Sequence, residues 1–437
     1  MEAPMERFAM NQLITWKNNK DKKPLIVKGA RQVGKTYLLE AFGKNYFKSY
    51  IYLNFESNPI IKEIFERDFS ISRIIGALEL YSQKKIDKDE TLIIFDEIQE
   101  APKALTSLKY FSEDQTCYQI VAAGSLLGVA LHKETSFPVG KVEFLQLSPM
   151  SFYEYLVAIG RKDFVEVLNR GEFELANTFK QEYQEELKKY FFIGGMPEVV
   201  DNYRRGKDFN AVRKIQKDIL YSYEQDFSKH APYNVTPRLR MAFNSLPSQL
   251  AKENKKFVYG LIKEGARAKE FELALMWLCD SGFVHKVPRV NKIGVPLNSY
   301  EDLKAFKMFA LDVGLLGCMA NLDASTLLDK NNLFVEFKGA LSEQYVLQQL
   351  KSVNDSKVFY WSNERGSAEI DFIIEAKGEI IPIEVKAEIN LRAKSLSYYL
   401  EKYQPKKAFR ISLAPYKKHQ IITDYPLWAV ESLVNHL

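Results

Sequence analysis

The chain has 437 residues, 46% hydrophobic and 27% charged, an ordinary globular make-up with room for about two to four domains. Its 61 Lys and Arg against 56 Asp and Glu leave a net charge of +5, which permits contact with nucleic acid without arguing for it. Three cysteines, Cys117, Cys279 and Cys318, lie far apart without Cys-x-x-Cys spacing, and this argues against a disulfide framework or a zinc site. The opening "MEAPMERFAM" has no basic-then-apolar signal and no apolar run reaches membrane-spanning length, so a cytoplasmic protein with no membrane partner is expected.

Near the N-terminus, "PLIVKGARQVGKTYLLEAF" sets an apolar strand before Gly29-Ala30-Arg31-Gln32-Val33-Gly34-Lys35-Thr36 and a helix after it. This is G-x-x-x-x-G-K-[ST] in its strand–loop–helix setting. The glycines let backbone N–H groups approach phosphates, and the helix N-terminus is aimed at the same charge. Lys35 is expected to reach the β- and γ-phosphates and Thr36 to hold Mg²⁺, making ATP with Mg²⁺ the expected ligand. Downstream, "TLIIFDEIQE" is an apolar strand ending in Asp96-Glu97. Carboxylates at the C-terminal edge of a parallel sheet face the ligand crevice. Asp96 is expected to bind Mg²⁺ through water, and Glu97 to orient and deprotonate the attacking water.

Further strands read as "YIYLN" (50–54), "YQIVAA" (118–123) and "VEFLQL" (142–147), so five strands alternating with helices predict a doubly wound parallel sheet. Ser125, after the fourth strand, is placed to sense the γ-phosphate, and Asn54, ending the second, to restrain Glu97.

The run GARQVGKT, then "FDEIQEAP", "AAGSLLG", "FLQLSPMSFYEYL" and "YFFIGGMPEVV", resembles a bacterial and archaeal AAA+-type ATPase family related to the signal-transduction branch of that class. The resemblance covers nearly the whole chain. It implies an α/β fold in three parts: an AAA+-like P-loop ATPase domain with a helical extension (1–200), a helical winged-helix-like middle (201–304) and an α/β restriction-endonuclease-like domain (305–437). It also implies ATP binding and hydrolysis, and AAA+ sites are often completed across subunits, which leaves an oligomer open. Where the family has Gly-Arg before the fifth strand, this chain has Gly140-Lys141, whose ammonium lacks the bidentate fork of arginine.

In the middle, "RAKEFELALMWLCDSGFVHKVPRV" predicts a helix with Phe271, Leu275 and Leu278 on one face, then a strand read as a wing. Arg267, Lys269, His285, Lys286 and Arg289 are candidates for phosphate contacts to DNA; the plain alternative is an ordinary charged surface. Tyr221, Tyr223 and Phe227 read as packing residues.

In the last part, "EIDFIIEAKGEIIPIEVKAE" predicts a hairpin turning at Lys377-Gly378, the second strand half-buried. A turn symmetric about those residues sets Asp371 opposite Glu384 and Glu369 opposite Lys386. Opposed carboxylates repel unless a cation lies between them, and a site of this kind suits Mg²⁺ or Mn²⁺. Upstream, "FKGALSEQYVLQQL" predicts a helix carrying Glu343 on an apolar stripe. The order Glu343, Asp371, Glu384-x-Lys386 resembles the PD-(D/E)XK nuclease signature, with three carboxylates as metal ligands and Lys386 acting on the attacking water. The family's Trp is present as Trp361, with Ser362 where arginine is common. The plain alternative is a cross-strand Glu369–Lys386 ion pair. Three functions stay open: an ATPase whose nucleotide state controls a nuclease-like effector, an ATP-regulated DNA endonuclease, and a nucleotide-switched module that docks protein or DNA.

Overall fold

A computed structural model describes residues 5–114, 116–125, 137–252, 255–328, 335–353, 357–363, 367–388 and 394–434. Leu126, Leu127 and Gly128 of "AAGSLLG" lie outside the described residues. The chain divides into two compact units, Met1–Ser148 with Asp280–Gly282, and Pro149–Cys279 with Phe283–Leu437.

In the first unit the short apolar runs form β1 (Leu25–Lys28), β2 (Ser49–Asn54), β3 (Thr91–Asp96), β4 (Gln119–Gly124) and β5 (Glu143–Gln146). They make one parallel sheet in the order β2-β3-β4-β1-β5, the parallel sheet expected. The inner strands β3 and β4 are buried at every residue, as their unbroken apolar sequences require. Phe55, Phe65 and Phe95 meet edge to face in the core at 5.5–5.7 Å between ring centroids. Since β4 separates β1 from β3, the residue that follows β4 emerges between the glycine-rich loop and the acidic end of β3.

The second unit begins with helices, the first of them, Phe152–Ala158, opened by a reciprocal capping box between Ser151 and Glu154. Its sheet contains β6 (Val284–Val290), β7 (Glu301–Ala310), β8 (Val358–Ser362), β9 (Glu369–Ala376), β10 (Glu379–Val385), β11 (Ala408–Ser412), β12 (Lys417–Lys418) and β13 (Ile422–Pro426). The sheet is mixed, in the order β12-β13-β11-β10-β9-β8-β6-β7. The strand read as a wing, β6, lies between β7 and β8 and bonds to both. The helix before it, Ala268–Asp280, buries Phe271, Leu275 and Leu278 as its spacing predicts.

The hairpin of β9 and β10 turns at Lys377 (φ 52°) and Gly378 (φ 75°), two left-handed residues in succession whose twist matches the flanking strands. Its register is the symmetric one, with Ile381 opposite Ile374 and Ile383 opposite Phe372. Strand β10 differs from expectation in being buried on both faces from Ile381 to Val385, Glu384 included. The helix Val335–Val353 packs against β10, and on β9 Ile370 and Ile373 join a core with Leu396 and Tyr399 of the helix Lys394–Tyr403.

Three glutamines of the helix Val335–Val353 tie this unit together. Gln344 Oε1 accepts from the Ala310 N–H and its Nε2 donates to Ala310 O. Gln348 accepts from the Val313 N–H at 2.8 Å and donates to Asp312 Oδ2 at 2.8 Å and to the Tyr190 hydroxyl at 3.0 Å. Gln349 Oε1 accepts from the Phe152 N–H. Among the described residues no helix is long and apolar enough to cross a membrane.

Candidate functional site

The glycine-rich loop is shaped by close approach. A Cβ on Gly29 would meet the Leu147 carbonyl oxygen at 2.3 Å, so the loop passes the end of β5 only with glycine there. Arg7 fastens the loop from below, donating to Val33 O and to Ser148 O at 2.7 Å each. Lys35 opens the helix Lys35–Tyr46 and donates to Gly29 O (3.0 Å) and Ala30 O (2.7 Å). Burial pushes its ammonium down to about 8, against the pull of Glu97 and Asp96. A bound phosphate would supply the negative charge this lysine lacks.

Thr36 Oγ1 donates to Asp96 Oδ2 at 2.7 Å, and the Tyr52 hydroxyl donates to the same oxygen at 2.7 Å. A hydroxyl and a carboxylate side by side at a strand end are the hard oxygen donors Mg²⁺ accepts alongside water, so Thr36 and Asp96 fit that ion. Glu97 follows in the left-handed conformation (φ 51°), a strained position for a residue with a side chain. Its Oε2 accepts from Gln99 Nε2 at 2.5 Å and from Ser125 Oγ at 3.3 Å. Arg31 Nε in turn donates to Ser125 Oγ at 3.4 Å. The strand order thus joins the loop, Ser125 and Glu97 into one hydrogen-bonded chain.

Two expected roles meet different geometry. Asn54 does not reach Glu97: its Nδ2 donates to the Tyr52 hydroxyl at 3.2 Å, and its Oδ1 accepts from the Glu56 and Ser57 N–H groups. The side chain is consumed by its own turn, and Gln99 takes the place expected of it. Lys141 forms a surface ion pair with Glu113 at 3.0 Å. Arg7, Tyr52 and Gln99 take no role from any motif in the sequence. Tyr52 alone carried a signal there, sharing the face of Asn54 in "YIYLN".

In the second unit Glu343, from the helix Val335–Val353, gathers with Glu369 and Asp371 of β9 and Glu384 of β10, together with three lysines. Lys255 lies 2.5 Å from Glu343 Oε1, and Lys386 lies 2.7 Å from Glu384 Oε1. Lys307, on β7 and with its side chain wholly buried, lies 2.6 Å from Glu369, 3.5 Å from Glu343 and 3.9 Å from Asp371. The cross-strand Glu369–Lys386 pair is therefore replaced by Lys307–Glu369 and Lys386–Glu384. Burial would push the Lys307 ammonium down, but Glu343, Glu369 and Asp371 outweigh it and hold it above the ordinary lysine range. Burial and the charges of Glu343 and Glu384 push Asp371 well above the usual carboxylate range. Asp371 Oδ2 accepts from the Val385 N–H at 2.8 Å. Among the described residues, no three His, Cys, Asp or Glu side chains converge as a group able to hold a metal ion.

The basic residues of the middle segment are divided in their surroundings. Arg267 and Lys269 are exposed at the start of the helix Ala268–Asp280. Burial holds the His285 imidazole down to about 4, neutral at pH 7. Arg289 is bound to Asp302 through Nε at 3.0 Å and reaches Ser362 Oγ at 3.3 Å. Lys286 lies over the Phe306 ring, 4.8 Å from its centroid.

Three family models match separate parts of the chain: an AAA domain over residues 21–156, a domain of unknown function (DUF8612) over 184–326, and a domain of unknown function (DUF4143) over 338–430. None of the curated proteins matches the chain. Solved structures similar to it include the Walker-type ATPase PABY2304 of Pyrococcus abyssi, at 16% identity and TM-score 0.44, covering 72% of this chain and 96% of that one. Also similar are the Aeropyrum pernix ORC1 protein in complex with DNA (13% identity, TM-score 0.28, 75% and 96% covered) and Cdc6p from Pyrobaculum aerophilum (14%, 0.26, 75% and 96%). Residues 21–156, which carry the glycine-rich loop and the acidic strand end, are thus the part of the chain that matches the AAA domain model.

Proposed function

We propose that the chain binds ATP with Mg²⁺ at the loop Gly29–Thr36, hydrolyses it, and uses its nucleotide state to control the C-terminal part as an effector. The observation that carries this reading is the 2.7 Å bond between Thr36 and Asp96, with Glu97 next in sequence and held by Ser125 and Gln99. In this reading the N–H groups of the loop and the Lys35 ammonium bind the phosphates, while Thr36 and Asp96 would hold Mg²⁺. That ion, when bound, neutralises charge on the β- and γ-phosphates. In the same reading Glu97 orients the attacking water and takes its proton, and Ser125 and Arg31, joined to it by hydrogen bonds, sense the γ-phosphate. Control of the effector rests on one chain carrying both parts, with DNA or a protein as the partner of the second.

The test is ATP binding and phosphate release, followed separately, in the full chain. Lys35→Ala should lose binding. Glu97→Gln should keep ATP while phosphate release falls by about 10²–10⁴. Failure of the wild type to bind ATP with Mg²⁺ overturns the reading.

A further inference from the structure

The residues of the C-terminal carboxylate cluster do not fit a divalent metal, and the misfit is specific. Lys307 Nζ lies within 3.9 Å of Glu369, Glu343 and Asp371, two of which are the carboxylates a nuclease-type metal would need. Its side chain is 0% exposed, and the Tyr360 ring lies 5.0 Å from the ammonium. A cation so enclosed has no short path to solvent. Lys255 and Lys386 hold the outer carboxylates, Glu343 and Glu384, at 2.5 and 2.7 Å. Four carboxylates therefore face three ammonium groups, which offset most of the repulsion that would call for a bound metal. A divalent ion drawn to Glu343 and Asp371 would meet the Lys307 ammonium, which lies 3.5 and 3.9 Å from those carboxylates, and like charges repel strongly away from water.

We infer that Lys307 is the resident counter-ion of this cluster, in place of a divalent metal, and that the C-terminal sheet is a non-cleaving module. The signature Glu343, Asp371, Glu384-x-Lys386 then marks a fold core whose carboxylates are held by the protein's own lysines. This inference is independent of the nucleotide site, because it concerns none of the residues that would hold ATP.

The experiment titrates Mn²⁺ into the nucleotide-free full chain, reading the free ion by electron paramagnetic resonance, with a cleavage assay on DNA and RNA run alongside. Wild type and Asp371→Asn should bind Mn²⁺ alike, and neither should cut. Lys307→Met, which keeps the chain length and removes the charge, should gain a Mn²⁺ site at least about tenfold tighter than any in the wild type. Adding Asp371→Asn to it should abolish that site. Should Lys307→Met fail to fold, the wild type and Asp371→Asn decide: the melting-temperature difference between Mn²⁺ and EDTA should be the same in both. Mn²⁺ binding or cleavage by the wild type that disappears in Asp371→Asn overturns the inference. So does a folded Lys307→Met that binds Mn²⁺ no better than the wild type.

Discussion

Thr36 Oγ1 donates to Asp96 Oδ2 at 2.7 Å, closing the glycine-rich loop onto the end of β3, and the Tyr52 hydroxyl competes for the same oxygen. An Mg²⁺ ion or its water approaching Asp96 must displace or share that hydroxyl. A hydrogen bond to a charged group contributes about 1.5–3 kcal/mol. Tyr52→Phe should therefore lower the Mg²⁺ concentration needed for half-maximal ATP binding by about tenfold. Thr36→Val should instead make ATP affinity nearly independent of Mg²⁺. Both are read by titrating Mg²⁺ at fixed ATP; an unchanged midpoint in Tyr52→Phe would show that the hydroxyl is a spectator.

The two units were unequally legible in the sequence. Strand β3 could be read because a parallel inner strand has to be an unbroken apolar run, and its carboxylates then have only the C-terminal edge to occupy. The hairpin register could be read because two turn residues determine every opposed pair after them. The partners of the carboxylates could not. Lys307 sits in "AFKMFA", where a lone lysine in an apolar strand hinted at a buried cation but named no acceptor. Lys255 lies in an ordinary charge run, and its reach to Glu343 spans 88 positions. Contacts of that sequence separation depend on how strands order across the sheet, and local pattern does not determine that order.

Glu431 provides a pH dependence with a definite sign. Its carboxyl is buried and accepts from Ser151 Oγ at 2.8 Å and from the Tyr153 N–H at 2.7 Å. Burial raises it from the ordinary carboxylate value to about 8, those two hydrogen bonds opposing the shift. A carboxyl raised on folding binds more protons in the folded state between its two values. Its stabilising contribution is then full below about 4.5 and is lost as pH rises through about 8. Glu431→Gln, neutral throughout, should flatten that decline. Urea midpoints at intervals from pH 5 to 9 for both proteins measure the difference; parallel curves would mean that Glu431 is ionised at neutral pH.

The same substitution at two glycines should have opposite signs. Gly378 has φ 75° and open space where a Cβ would stand, so Gly378→Ala meets no clash but strains the turn. The cost should be about 1 kcal/mol. Gly76 lies in the helix Ile71–Ser82, also with nothing near a new Cβ, and φ there is not left-handed. Gly76→Ala should stabilise by about 0.5–1 kcal/mol. Denaturation midpoints of the two variants should move in opposite directions.

Gln348 is the most demanding of the buried polar residues, because three groups lose a partner when it is replaced. Its carbonyl serves the Val313 N–H, while its amide serves Asp312 and Tyr190. Asp312 also accepts from the Gly195 and Leu315 N–H groups, at 2.6 and 3.0 Å, so it orders the "IGGMP" turn and the start of the helix Val313–Met319 together. Leucine fills a similar volume and offers none of these bonds. An orphaned buried N–H costs about 1–3 kcal/mol, and a partly stripped carboxylate costs more. Gln348→Leu should lose about 3 kcal/mol or more of second-unit stability. Gln348→Glu should do worse, by setting a second carboxylate against Asp312. Urea unfolding followed by tryptophan fluorescence, with Trp277, Trp361 and Trp428 all in that unit, reads the loss directly. A Gln348→Leu midpoint within error of the wild type would mean that water satisfies the three groups, and that this network does not hold the helix Val335–Val353 to the rest of the unit.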